Sequence, residues 1–441
     1  MAQASLTFPR GFLWGSATSS HQVEGQNTNN DWHSWQEQGN ILYDHQAGRA
    51  CDWWSGRWKN DFDRAAEAGQ SAHRMSIEWS RIQPGPDRWD EDALDRYRDM
   101  VRGLRNRNMT PVVTLHHFTN PKWIAERGGW ENPHTIHHFQ GYVEKVVEAL
   151  DDYVKLWVTI NEPNVVATLG YLTGEFPPGK QDKGAMYSVM ENLVKGHAAA
   201  YHAIHRVQFE ARAGMAINYR GMEPARKWHP LDHLIAGLFS RTYNDFFPTA
   251  AKTGRLRFPF RISSVPEAKG TQDFLGLNYY TQEQVNFSLQ HADRLFGERR
   301  FDPRSPRSET GFIAHEPQGL MKALHWAERF DIPLMITENG IEDSTDDLRP
   351  RYIAEHLHQV WQGLNQNIPI KAYFHWTLVD NFEWERGWSQ RFGLWALDPD
   401  TQARTRRPSA DFFEEICRNN ALSSDMVRKY APQAHDTLFP G

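Results

Sequence analysis

The chain has 441 residues, 39% hydrophobic and 24% charged, and 49 Lys+Arg against 55 Asp+Glu leave a formal charge of −6. That balance excludes a disordered chain and gives no net field to draw in nucleic acid or an anionic membrane. The opening MAQASLTFPRGFLWG lacks a basic stretch leading into a long apolar run, and no window approaches ~18 uninterrupted apolar residues. Only Cys51 and Cys417 are present, so neither a disulfide framework nor a zinc knuckle is expected, and the chain reads as cytoplasmic.

Short apolar, β-branched runs alternate with helical periodicity from end to end. Strands are expected at 11–18, 71–79, 111–118, 154–161, 214–219, 273–280, 333–339 and 370–378. Helical stretches fill most gaps: one through Trp58 to Ala68, stopped by Gly69, one through Leu94 to Leu104, and one around Tyr142 to Leu150. Others follow at 186–209, 231–251, 317–330 and 350–364. The polar stretch 283–316, rich in Arg, Ser and Pro, reads as a long loop, and no role is assigned to the tail 419–441. Eight near-continuous apolar strands alternating with helices imply a parallel sheet covered on both faces. An α/β fold, a single (β/α)8 TIM barrel over 1–441, accounts for them; a doubly wound sheet would leave strands over and has no Gly-rich phosphate turn here. The 18 Trp are an excess that either fills a core or faces a ligand.

In such a barrel the active site lies at the C-terminal ends of the strands. Those ends carry Arg74 and Glu78, His116 and His117, Asn161 and Glu162, Asn218 and Tyr219, Asn278 and Tyr280, Glu338 and Asn339, and Trp376 with Asp380. Glu162 in INEP and Glu338 in TENG end the fourth and seventh strands, across the barrel mouth from each other. A lone strand-end Glu is more often a salt-bridged structural group. Two facing carboxylates among amides and aromatic rings are what glycosidic cleavage requires: one protonates the leaving oxygen and one meets the charge at the anomeric carbon. Which does which is not readable from spacing.

These segments resemble glycoside hydrolase family 1, the β-glucosidases, β-galactosidases and their relatives. The resemblance runs over nearly the whole chain: FLWGSATSSHQVEG at 12–25, RMSIEWSRI at 74–82, TLHHF at 114–118, TINEP at 159–163, LGLNYYT at 275–281, ITENG at 336–340 and FHWTLVDNFEWERGWSQRFGL at 374–394. It implies that Glu162 is the general acid/base and Glu338 the nucleophile of a retaining enzyme, with carboxyl groups roughly 5–5.5 Å apart. Arg74 is similar to the arginine that keeps the nucleophile charged. Asn161 matches the residue on the sugar 2-hydroxyl, Tyr280 the tyrosine on the nucleophile, and Asn278 its support. Gln22, His117, Glu383 and Trp384 match the clamp on the remaining hydroxyls, Trp376 the stacking platform, and Phe392 the ring beside the 6-hydroxymethyl. Phe312 stands where many relatives carry Trp as a wall of the aglycone site. His21 and Phe118 also depart from the commonest residues.

The resemblance implies a retaining exo-β-glycosidase, foremost a β-glucosidase with β-galactosidase and β-fucosidase side activity. It implies small-molecule β-glycosides as substrates, with no nucleic-acid or membrane partner, no cofactor and no metal, and it leaves the oligomeric state open. A 6-phospho-β-glycosidase is the nearest alternative, but its relatives carry a small residue, a Lys and a Tyr where this chain has Glu383, Gln390 and Phe392. A non-catalytic sugar-binding relative would normally have lost one glutamate. The cluster His134, His137, His138 reads as structural or solvated, and the acidic stretch Glu342, Asp343, Asp346, Asp347 as a solvated loop, rather than as metal sites.

Overall fold

The computed structural model describes residues 4–258 and 262–440. Each expected strand forms: β1 (Leu13–Ala17), β2 (Ala72–Ser76), β3 (Thr110–His116), β4 (Leu156–Asn161), β5 (Arg212–Pro224), β6 (Leu275–Phe287), β7 (Leu334–Asn339) and β8 (Ile370–Trp376). Sequential strands pair in parallel, and β8 returns to β1 with Trp376 opposite Ala17, closing an eight-stranded barrel. β2 and β7 are buried along their whole length, as expected where helices cover one face and the barrel interior the other. The interior is filled by mostly small side chains, among them Ala72, Val112, Val158, Ala216, Ala372 and Phe374.

The outer helices start where the sequence can cap them. Asp90 accepts the N–H of Ala93 at 2.9 Å ahead of Glu91–Arg105, and Asp182 accepts those of Gly184 and Ala185 ahead of Lys183–Val207. Most tryptophans are core. Trp14, Trp53, Trp79 and Trp157 are buried with their indole N–H groups donated to Asn420, Asp61, Gln83 and Gln208.

Four segments differ from the reading of the sequence. The stretch 283–316 is not all loop: β6 runs on to Phe287, and Gly297–Arg300 folds back antiparallel on it, Gly297 opposite Phe287 and Arg300 opposite Gln284. Only one side of this hairpin is covered, where Val285 packs on Ile235 and Ala236, so its polar outer face hides the strand pattern. The helix expected over 231–251 is two, Pro230–Ser240 and Phe246–Thr253, joined by a π turn at Arg241–Asp245. In that turn Asn244 holds both backbone groups of Arg220, at 3.0 and 2.9 Å. The tail closes the foot of the barrel: Ala421–Ser423 pairs with Ser5–Thr7, and Asn420 donates to the Phe8 carbonyl at 2.8 Å.

The fourth is the acidic stretch. Asp347 is exposed, but Glu342, Asp343 and Asp346 are buried. Asp343 accepts the N–H groups of Leu348 and Arg349 at 2.8 and 2.9 Å, while Asp346 pairs with the wholly buried Arg349 and accepts the Ser409 N–H. Acidic residues adjacent in sequence look solvated until the arginine that gathers them is seen to point inward. Asp346→Ala strands a buried guanidinium, a loss of about 3–5 kcal/mol. Thermal unfolding followed by circular dichroism should show Tm several degrees lower, whereas Asp347→Ala stays within about 0.5 kcal/mol of the parent.

Candidate active site

The C-terminal rim of the barrel brings together residues from all eight of its strands or the segments that follow them. Arg74 on β2 is fully buried beneath it. One guanidinium nitrogen donates to Glu338 Oε1 at 2.5 Å and to the Thr337 carbonyl at 3.2 Å; the second donates to Asn161 Oδ1 at 2.6 Å, and Nε to Thr114 Oγ1 at 3.2 Å. Glu338 receives a further donor on its other oxygen, the Tyr280 hydroxyl at 2.6 Å.

Glu162 follows the last residue of β4 with φ 46 and ψ 55, a left-handed conformation costing about 1–3 kcal/mol in a non-glycine residue. The turn holds it there: its N–H donates to the Ala216 carbonyl at 2.7 Å, and Pro163 begins the helix Pro163–Thr168 directly behind it. Pairing also shifts register between Val158 and Asn161 on β4 and between Ile336 and Glu338 on β7. Such irregularities re-aim side chains at a strand end. Glu162 Oε1 accepts from Asn278 at 2.8 Å and Asn218 at 2.9 Å, both neutral amides.

The two carboxylates therefore sit in unequal surroundings. Burial and the charge of Glu338 push the Glu162 carboxyl up to about 8. Burial raises Glu338 too, but Arg74, Tyr280 and Asn278 all favour its charged form. The arrangement can keep a proton on Glu162 and a negative charge on Glu338.

Around the pair stands a lined recess. Asn161 donates to His117 Nε2 at 3.1 Å, and burial keeps that imidazole neutral, with its Nδ1 buried and unpartnered. The His117 ring stacks between Trp384 and Trp376, centroids 5.9 and 6.1 Å away. Trp376 Nε1 donates to Glu383 at 3.1 Å; Gln22 bonds to Ser19 and Asn381 and also reaches Glu383. Burial pushes the Glu383 carboxyl well above the usual range. Phe392 stands edge-on to Tyr280 at 6.2 Å.

Of the site residues implied by the family resemblance, Phe312 alone stands apart from this recess. It lies at the outer mouth, 39% exposed, with the Arg386 guanidinium 5.2 Å over its ring. His116 bonds to Asn120 and Trp130, and His134 and His137 are exposed on the helix His134–Leu150. Neither His21 nor Phe118, the two departures from the commonest residues, opens the recess. Both pack against Trp384, at 5.6 and 4.9 Å. Three contributors were not picked out as site residues. Asn218 was legible as a strand end, while Thr337, which donates to Asn278 at 2.6 Å, and Tyr243, which donates to Asn218 at 3.2 Å, carry no signal in sequence.

Residues 4–422 match the family model described as glycosyl hydrolase family 1. The chain belongs to that family. Beta-glucosidase A of Thermotoga maritima is 32% identical over 94% of this chain and 98% of its own, and a beta-galactosidase of Pyrococcus woesei is 30% identical over 94% and 98%. The solved beta-glycosidase from Pyrococcus horikoshii superposes with a TM-score of 0.91 at 35% identity, covering 97% of this chain and 98% of that one. This family 1 chain is a glycoside hydrolase and a β-glycosidase. Among its described residues no helix is long and apolar enough to cross a membrane.

A carboxyl held above its ordinary value binds its proton more tightly folded than unfolded. Its contribution to stability is complete below about pH 4.5 and is lost as pH rises through about 8. Glu162→Gln removes that slope. The Tm of this variant relative to the parent should climb between about pH 5 and about pH 9; a flat difference would show that Glu162 is not the group holding the proton.

Proposed function

We propose that this β-glycosidase is a retaining exo-enzyme that removes terminal β-D-glucosyl residues, with side activity on β-galactosides and β-fucosides. The observation that carries the mechanism is the asymmetry of the pair: Arg74 lies on Glu338, while Glu162 meets only neutral amides.

Glu338 attacks the anomeric carbon as Glu162 gives its proton to the departing aglycone oxygen, forming a glycosyl ester and a free alcohol. Esterification removes the negative charge beside Glu162, so its pKa falls. Glu162 then takes a proton from water, whose oxygen attacks the same carbon; Glu338 leaves as carboxylate and the sugar keeps its β configuration. Arg74 and Tyr280 favour the charged nucleophile at the start and at the end.

Asn161, held by Arg74 and His117, is placed for the 2-hydroxyl. His117, Gln22 and Glu383 serve the outer hydroxyls, and Trp376, Trp384 and Phe392 pack on the C–H faces of the sugar. Burial and the nearby charges of Glu338 and Glu385 raise the Glu383 carboxyl against the donors Trp376 and Gln22, and substrate hydroxyls would add donors there. Relatives named both β-glucosidase and β-galactosidase, at 32% and 30% identity, support tolerance at the 4-hydroxyl. Two free, buried cysteines fit the reducing cytoplasm.

An activated 2-deoxy-2-fluoro-β-glucoside tests the reading directly: one adduct, on the peptide carrying Glu338, is expected. An adduct elsewhere, or hydrolysis with inversion, overturns it. Glu338→Ala should lose on the order of 10⁴ or more in turnover, and azide should restore it with an α-glycosyl azide product. Glu162→Ala should slow the first step on cellobiose by about 10²–10⁴ but spare aryl glycosides with good leaving groups, measured by pre-steady-state kinetics. Equal slowing of both would remove Glu162 from the acid role.

A further inference from the structure

Outward from Glu162, a chain of contacts leads to a second cavity. Asn218, a donor to Glu162, accepts the Tyr243 hydroxyl, and Tyr243 lies within the electrostatic reach of Glu162 on one side and of Arg220, Arg299 and Glu283 on the other. Beyond it a cavity of about 460 Å³ opens, lined among others by Tyr43, Arg220, Glu283, Phe312, Arg386 and Gln390. It lies on the proton-donor side, where a leaving group departs, and a volume near 300–1,000 Å³ is typical of a small-molecule pocket.

Its chemistry is unlike that of the inner recess. Guanidinium groups lie over its rings: Arg386 over Phe312 at 5.2 Å, and Arg307 and Arg220 over Phe301 at 4.4 and 5.8 Å. Glu283 is the one carboxylate among the lining residues, and it is taken up by two cations, Arg220 at 2.9 Å and Arg299 at 3.4 Å. The Nε of Arg220 is buried without a hydrogen-bond partner. Arg386 lines the cavity and pairs through its Nε with Glu385 at 3.0 Å, a contact that engages one of its nitrogens. A neutral disaccharide hydrogen-bonds to such a lining but leaves its positive charge uncompensated. A flat ring against Phe312, carrying a negative group at its far end, meets the guanidinium of Arg386, because stacked guanidinium groups bind carboxylates well.

We propose that this mouth selects aryl β-glycosides whose aglycone carries a carboxylate, with Arg386 reading the charge and Phe312 the ring. The inference rests on the β-glycosidase reading above and adds the class of leaving group. It makes Arg386 a specificity-determining residue, not a participant in bond cleavage.

The test compares the β-glucoside of 3-(4-hydroxyphenyl)propanoate with that of its methyl ester. The two-carbon spacer keeps the phenol an equally good leaving group, so the ratio of kcat/KM for acid over ester reports the distant charge alone and cancels any general loss of activity. The parent should prefer the acid by about five- to tenfold at low ionic strength. The preference should shrink toward one in about 0.5 M salt and in Arg386→Gln, and survive largely in Arg386→Lys. A parent ratio at or below one overturns the inference, as does a preference that Arg386→Gln leaves intact. Failure of the underlying reading looks different, since neither compound nor the ordinary nitrophenyl glucoside would then be cleaved.

Discussion

A guanidinium buried at the centre of a barrel is costly unless every donor finds an acceptor, and the arrangement around Arg74 follows from that constraint. Its nitrogens reach Thr114 after β3's midpoint, Asn161 at the end of β4, and Thr337 and Glu338 near the end of β7, so one side chain on β2 ties together three other strands. The acceptors are the residues that must be aligned for chemistry. Asn161 is aimed by Arg74 from below and by His117 from the side; Asn278 is aimed by Thr337 and in turn holds both Asn161 and Glu162. Stability and preorganisation are thus served by the same hydrogen bonds, and loosening any one of them disturbs both.

The rim above this network divides into two environments. The inner recess is aromatic, with Trp376, Trp384 and His117 as its walls and Glu383 buried beside Trp376. The outer mouth is lined by Tyr43, by Arg220 and Glu283 on the extended ends of β5 and β6, by the segment carrying Phe312, and by Arg386 and Gln390 from the same turn after β8 that carries Glu383 and Trp384. The inner residues sit at the strand ends and in the turn after β8, and that same turn carries Arg386 out to the mouth, so the two environments share a support.

Much of this is legible in the order of residues. All eight strands are readable as apolar runs, because a parallel strand buried on both faces cannot alternate with polar residues. The facing of Glu162 and Glu338 follows from strand order alone. The segments that escape are those whose polarity misleads: the hairpin after β6, and the acidic stretch whose partner, Arg349, folds inward. The many tryptophans leave core and ligand contact equally open in the sequence and mostly fill the core, because an indole N–H is satisfied as readily by Asp61 or Gln208 as by a sugar.

The sequence by itself determined the barrel, the strand ends and the two carboxylates, since burial pattern and strand order are properties of the chain. Only the tertiary structure decided how unequal the surroundings of the two carboxylates are. That depends on where a guanidinium from β2 comes to rest, 264 positions away from Glu338, and on two amides, from β5 and β6, converging on Glu162. Separation of this kind is invisible to periodicity, and a pKa is set by distance in space and by burial rather than by neighbours along the chain.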